Sequence, residues 1–290
     1  MAKTREIKGR IKAVANIERI TKTMQMIATA RFQAMQRKAT SAQSYTRKIS
    51  EVVSELTAAL AGEQVSSPLL SSPQSKAGRH LVLAITSNRG LCGGYNANVL
   101  RTAMELIQQY PPDQTLIEVV GKKGAGFFRF ARRTVDAFHD DFDDSPTFEQ
   151  VNRLAERYMQ SFAQGNLDTV HVVSMAFKTM SRQEPVALQL LPLQLPTSPH
   201  SPAVTAVYEF SPDVQSLMDE LLPKSVRTRL YQCFNEALVS EQLARMVAMK
   251  AATDAAGKMG KTLNRQYNRA RQTAITTELS EIIGGAAALA

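Results

Sequence analysis

A chain of 290 residues with a hydrophobic fraction of 44% is long enough for a real core and for more than one structural unit. Only 6% of it is aromatic and there is no Trp, a helix-weighted usage, and its two cysteines, Cys92 and Cys233, lie far apart and outside any CxxC spacing, which argues against a disulfide framework or a zinc site and for a reducing compartment. The net charge of +9 is unevenly placed: about 12 basic and 2 acidic side chains fall in residues 1–50 and about 10 and 3 in 224–272, whereas 51–223 nets roughly −6 and the last 18 residues about −2.

In the first segment apolar residues recur at Ile7, Ile11, Val14, Ile17, Ile20, Met24, Ile27, Ala30 and Ala34. Steps of three and four average close to the 3.5 of a coiled-coil seam. No Pro intervenes before Pro68, so a helix to about residue 60 is expected, ~85 Å long at 1.5 Å per residue. A helix of that length needs a partner. The start carries basic residues but no apolar run of the kind a secretory signal has, although an Arg-rich amphipathic start can imitate a mitochondrial transit peptide. No apolar run approaches the ~20 residues that cross a bilayer.

Residues 63–79 are rich in Ser and Pro and read as a linker between the first helix (1–62) and a central domain (80–210). Leu81–Thr86 suits a buried strand, followed by the glycine-rich turn SNRGLCGGYN and a helix from about Ala97 to Tyr110. Thr115–Val120 reads as a second strand, 122–130 as a short helix, Thr134–Phe138 as a third strand, Thr147–Ala163 as a helix and Leu167–Phe177 as a strong strand. Val186–Leu195 and Val204–Phe210 look extended, on either side of PTSPHSP. Alternating strands and helices with short links indicate a Rossmann-like α/β layer domain with a mainly parallel sheet.

From 211 to 290 the pattern is helical again. Ser211-Pro212-Asp213 is a good helix start, Pro223 is expected to kink or restart the helix, and Gly284-Gly285 is a plausible stop. The two terminal helices match in length and adjoin the same body. The expected fold class is therefore mixed α/β: a long antiparallel coiled coil of N- and C-terminal helices with a central α/β domain.

The motifs that could carry chemistry are weak. SNRGLCGGYN follows a strand and precedes a helix, where phosphate-binding turns lie, but it matches neither GxGxxG nor GxxxxGK[ST] and reads as a tight turn needing glycine freedom. GKKGAGFF lacks the Ser or Thr for magnesium. Cys92 has no His in a sequence context that would make it a nucleophile; His80, His139, His171 and His200 do not cluster with the cysteines. Asp140, Asp141, Asp143 and Asp144 lack the glycine and terminal Glu of a calcium loop and read as a solvated acidic loop. The basic rod admits three readings: merely solvated, bound to nucleic acid, or running through an acidic protein surface; aromatic interleaving and a nucleic-acid reading module are both missing. Residues 273–290 contain no basic side chain, and an apolar helix tip of that kind needs a socket.

Three stretches resemble the γ subunits of F-type ATP synthases, the central rotor shaft. IKAVANIERITKTMQMIATARF is similar to the family's first helix, SNRGLCGGYN to its [ST]DRGLCGG signature, and RMVAMKAATDAAGK with YNRARQTAITTELSEIIGGAAAL to its last helix. They span both ends and the centre, in order. The resemblance implies a curved coiled coil inside a hexamer of α and β subunits, with catalytic sites on β, and a central domain against the ε subunit and the c-ring. It implies no bond chemistry, cofactor, metal or nucleic acid in this chain. Carried over by motif, Met24, Arg245, Arg271, Gln272, Thr276 and Glu278 would meet β-subunit loops, and Ile282 to Leu289 would be the tip in its bearing. Arg89, Gly90, Leu91, Cys92, Gly93 and Gly94 form the signature turn. Asn88 stands where the signature has Asp, and no Cys lies between Leu190 and Tyr208, so the thiol-gated insertion of photosynthetic relatives is missing. The implied location is the cytoplasmic face of a bacterial inner membrane, as a peripheral protein. The alternative is a basic coiled-coil nucleic-acid-binding or scaffold protein.

Overall fold

The computed structural model describes residues 2–59, 67–70, 78–142, 145–194 and 214–289. The expected strand 204–210, the Ser211-Pro212-Asp213 start and Asp143 and Asp144 lie outside these residues. Two helices bracket the chain, α1 (Ala2–Ala59) and, after the elements between, α5 (Val214–Leu289). Between them run β1 (His80–Ile85), α2 (Tyr95–Ile107), β2 (Thr115–Val120), α3 (Lys122–Phe130), β3 (Ala137–His139), α4 (Phe148–Ala163), β4 (Thr169–Phe177) and β5 (Gln183–Leu191).

The chain divides into two compact units: one comprises Met1–Ala30 with Arg245–Ala290, the other Arg31–Ala244. Residues 31–59 of α1 and 214–244 of α5 thus belong to the larger unit.

In the larger unit the sheet order is β3-β2-β1-β4-β5, with β1 to β4 parallel and β5 antiparallel to β4. The strand order reverses after β3, so the helices linking β1, β2 and β3 and the helix linking β3 to β4 lie on opposite faces. Alternation along β1 makes the division visible. Leu81, Leu83 and Ile85 join one core with Ile49 and Val53 of α1, Leu154, Tyr158 and Phe162 of α4, and Met218, Leu222 and Phe234 of α5. Val82 and Ala84 join the other, with Val99 and Ala103 of α2 and Phe128 of α3. Thr147 caps α4: its hydroxyl accepts from Gln150 N at 3.2 Å while Gln150 Oε1 accepts from Thr147 N at 2.8 Å, a reciprocal cap whose hydroxyl alone contributes about 1 kcal/mol.

β3 begins three residues later than its expected start: Asp136 bonds Ile117 twice, Oδ2 accepting from Ile117 N at 2.7 Å and its own N donating to Ile117 O at 2.8 Å, and the ladder begins at Glu118–Ala137. Neither a restart at Pro223 nor the stop expected at Gly284-Gly285 occurs. The helix runs through Pro223 and through Gly284-Gly285 to Leu289; the flanking Ala286, Ala287 and Ala288 have the highest helix propensity, which offsets the two glycines.

In the smaller unit α1 and α5 pair antiparallel. Thr253 Oγ1 donates to Thr21 Oγ1 at 2.8 Å, a Cβ on Gly257 would lie 3.5 Å from Glu18 Oε1, and one on Gly260 4.0 Å from Val14 Cγ1. Up to Thr29 the covered positions of α1 among the described residues are Thr4, Ile7, Ile11, Val14, Glu18, Thr21, Met24, Gln25, Ala28 and Thr29, in which 7, 14, 21 and 28, and 11, 18 and 25, each recur every seven residues. The seam therefore departs from the apolar pattern after Val14. Ile17, Ile20 and Ile27, expected in it, are 52%, 56% and 51% exposed. The reason is periodicity: a seam that uses 7, 11 and 14 continues at 18, 21 and 25, one residue off the apolar series 17, 20, 24 and 27.

Candidate functional site

Two surfaces correspond to the residues singled out by sequence. The first is on the smaller unit. Ile17, Ile20, Met24 and Ile27 lie at i, i+3, i+7 and i+10, so they form one stripe on α1, displaced from the pairing seam. Met24 is half-buried and Met26 is 66% exposed. On α5 from Met246 the covered positions are Met246, Ala248, Met249, Ala252, Thr253, Ala256, Gly257, Gly260, Leu263, Tyr267, Ala270 and Ala274, and then they end. Beyond Ala274 every side chain described is exposed, including Ile275 (57%), Leu279 (57%), Ile282 (66%) and Ile283 (60%). Arg271, Gln272, Thr276 and Glu278 are exposed on the same stretch, Thr276 returning its hydroxyl to Gln272 O at 2.9 Å. Arg245 differs: it is 8% exposed, so it offers a partner little surface.

The second is the signature turn on the larger unit. Thr86 anchors its base, its hydroxyl donating to Val120 O at 2.7 Å and accepting from Gly124 N at 3.0 Å. Asn96 clamps its other side, accepting from Ser87 N at 3.0 Å and donating to Ser87 Oγ at 2.8 Å and Cys92 Sγ at 3.2 Å. Cys92 is 2% exposed and belongs to the core on that face, which suits a small packed residue. Leu91 takes the left-handed backbone at φ 62° and is itself 61% exposed; Gly93 follows at φ 55°. Arg89, Gly93 and Gly94 are exposed and Gly90 half-buried. Asn88 bridges two segments: Oδ1 accepts from Lys122 N at 3.2 Å and Nδ2 donates to Phe142 O at 3.1 Å. A carboxylate could make only the first bond.

The carboxyl ends of the parallel strands are where open α/β sheets hold ligands. Here α5 fills that position. Phe234 stacks at 4.8 Å on Phe142, Ser240 Oγ donates to Met175 O at 3.4 Å, and Phe177 N donates to Glu236 Oε2 at 3.3 Å. The space left among Ile85, Thr86, Val120, Phe142 and Phe234 is about 20 Å³, room for one water. Among the described residues no group of three His, Cys, Asp or Glu is arranged to hold a metal ion.

One polar cluster was missed in the sequence. Glu118, 8% exposed on β2, receives on Oε2 the hydroxyl of Tyr158 at 2.7 Å, Arg157 Nη2 at 2.6 Å and His139 Nε2 at 2.7 Å. Burial pushes its carboxyl up, but the bonds from His139 and Tyr158 and the Arg157 charge outweigh it and hold the group below its ordinary value. Burial and the adjoining carboxylate push the Tyr158 phenol well up. TLIEVV gives no hint of this, because the three partners arrive from β3 and α4.

A basic helix pair carrying an outward apolar stripe, in one chain with an α/β unit whose strand carboxyl ends are filled by its own helix, fits a stalk-type subunit better than a nucleotide-binding domain. Residues 3–289 match the family model described as ATP synthase. The chain is similar over its whole length to the ATP synthase gamma chains of Rhodopirellula baltica (41% identity, 100% of this chain and 99% of the relative) and of Leptospira biflexa (38%, 100% of both). Its fold is similar to a chain in the Euglena gracilis mitochondrial ATP synthase OSCP/F1/c-ring structure, with a TM-score of 0.67 at 16% identity, covering 99% of this chain and 95% of that one. The chain belongs to the ATP synthase gamma family. None of these matches supports the nucleic-acid alternative.

Proposed function

We propose that this chain is the central shaft of a proton-translocating F-type ATP synthase, coupling rotation of a c-ring to the conformational cycle of catalytic β subunits. It performs no bond chemistry itself. The observation that carries the reading is the apolar surface the smaller unit leaves uncovered: Ile17, Ile20 and Ile27, on one stripe with the half-buried Met24, and the tip from Ile275 to Ile283 beyond the last paired position. Exposed apolar residues in contiguous rows mark partner surfaces. Their setting, on helices with many Lys and Arg, suits a socket of α and β subunits lined by apolar and acidic groups.

The mechanism is one of differential contact. A shaft whose faces differ presents a different surface to each β subunit at each rotary position, and a site is biased only by the difference in contact energy between its states. Met24, Arg271, Gln272, Thr276 and Glu278 supply that difference on the shaft, Ile282 seats the tip, and Arg245 contributes its narrow exposed edge. The signature turn Arg89 to Gly94 fixes the start of α2 within the body. The ε subunit and c-ring contact the body, and the chain is a peripheral protein on the cytoplasmic face of a bacterial inner membrane; no helix among the described residues is long and apolar enough to cross it.

ATP hydrolysis by purified α and β subunits, measured with and without this chain and with a form lacking 273–290, tests the reading. Sustained hydrolysis appears only with the chain, and the truncated form is weaker. Absence of both co-assembly and stimulation overturns it.

A further inference from the structure

We propose that a cleft in the larger unit, between α1, the β4–β5 pair and α5, binds a small organic anion through a phosphate or carboxylate group held by Arg229. The cleft measures about 570 Å³, within the range of small-molecule sites. Most of the residues that line it are polar, and Val186 and Leu188 on β5 add apolar side chains, which suit the carbon body of such a ligand.

Arg229 is the reason to expect an anion. Its side chain is half-buried, and burial lowers its affinity for its own proton. No hydrogen bond or ion pair satisfies it among the described residues. Its neighbours on α5 bring one negative charge, Glu236, but no hydrogen bond to the guanidinium. Glu236 is engaged on both oxygens, Oε1 by Gln232 Nε2 at 2.7 Å and Oε2 by Phe177 N at 3.3 Å. Cys233 is held neutral, its thiol pushed up to about 12 chiefly by burial. Two residues earlier, by contrast, Arg227 Nη2 is paired with Glu156 at 3.2 Å.

The rest of the lining adds positive charge. Lys178 follows the end of β4, and Arg47 stands on the α1 wall, reaching Glu51 only at 3.7 Å. Three cations thus surround one carboxylate that is already spoken for, with Ser50 beside them as a neutral hydrogen-bonding group. A partly desolvated guanidinium without a counter-ion is costly, and its planar fork of donors matches the two oxygens of a carboxylate or phosphate. A bound oxyanion removes the cost and orients on the fork.

Calorimetric titration of the full-length chain with orthophosphate, 3-phosphoglycerate and citrate tests this and separates the head groups. At least one of the two organic anions binds saturably, more tightly than orthophosphate. Arg229→Met weakens that binding about tenfold or more. Lys178→Met, on the exposed rim, weakens it by a smaller factor and serves if the Arg229 variant does not fold. Lys122→Met, on α3, leaves it unchanged. Absence of saturable binding by all three probes overturns the proposal, as does equal binding by Arg229→Met and the wild type. Retention of poly-glutamate that depends on Arg229, with no binding of the small anions, also overturns it in favour of a protein-docking surface.

Discussion

Two glycines on one helix, two residues apart, are expected to respond to the same substitution with opposite sign. At Gly124, in the first turn of α3, an added Cβ would lie 2.6 Å from Thr86 Oγ1 and 2.7 Å from Val119 Cγ1. Neither neighbour can yield easily. Val119 is fully buried, and Thr86 Oγ1 is held between Val120 O at 2.7 Å and Gly124 N at 3.0 Å. Overpacking of this kind costs about 1–3 kcal/mol, and displacing the Thr86 hydroxyl adds about 1 kcal/mol. The better helix propensity of Ala returns about 1 kcal/mol, leaving Gly124→Ala about 2 kcal/mol less stable. At Gly126 nothing lies within 4 Å of the added carbon, so only the propensity gain remains and Gly126→Ala is about 0.5–1 kcal/mol more stable. Thermal unfolding of the full-length chain, followed by circular dichroism, reads the difference. A fall of roughly 4–8 °C for the first variant and a rise of about 1–4 °C for the second are expected. If Gly124→Ala melts at or above the wild type, the close approach of α3 to Thr86 is not what requires glycine there.

Three other substitutions address separate parts of the chain. Glu118→Gln lowers stability by about 2 kcal/mol at neutral pH, because Arg157 loses its counter-charge and two further donors face a weaker acceptor. Since the folded Glu118 carboxyl is held below the unfolded value of 4.5, its stabilisation is complete above that pH and lost as pH falls through the folded value; denaturation from pH 6 to 3 is expected to show a drop in the wild type that is shallower in the variant, and parallel profiles contradict this. Asn88→Asp keeps the bond from Lys122 N but turns an oxygen toward Phe142 O, and a urea midpoint lower by about 1–2 kcal/mol equivalent is expected. Met24→Lys, on the outward stripe, is expected to disturb coupling more than folding, and an unchanged ratio of ATP-driven proton pumping to hydrolysis in the assembled enzyme would remove that role.

Local signals carried much of the fold. Thr115–Val120 and 122–130 emerge with the bounds read from sequence, because a β-branched run stops at Gly121, whose φ of 92° no other residue adopts easily. Thr147 announces α4 by a capping pattern written within four residues. Where the outcome depends on packing, sequence was a poorer guide. The apolar series 7, 11, 14, 17, 20 looks continuous, yet only the partner helix decides which of two overlapping stripes is covered, and it covers Glu18 and Thr21 rather than Ile17 and Ile20. Glu118 and its three partners, and Arg229 among Arg47 and Lys178, are assembled from elements far apart in the chain, so no spacing could reveal them. The signature turn was legible as a turn, but the reason for Asn at position 88 required the carbonyl of Phe142 to be seen beside it.

The helix segment seated at the carboxyl ends of the strands has a thermodynamic consequence. In an α/β domain that holds a separate molecule there, part of the folding free energy follows the concentration of that molecule and vanishes on dilution. Here Phe234 and Ala237 belong to the same polypeptide as the sheet they cover, so the occupant is present at a fixed local concentration set by the chain itself. It cannot be depleted, exchanged or washed away. The filling of the strand ends therefore contributes the same stabilisation at any dilution of the protein.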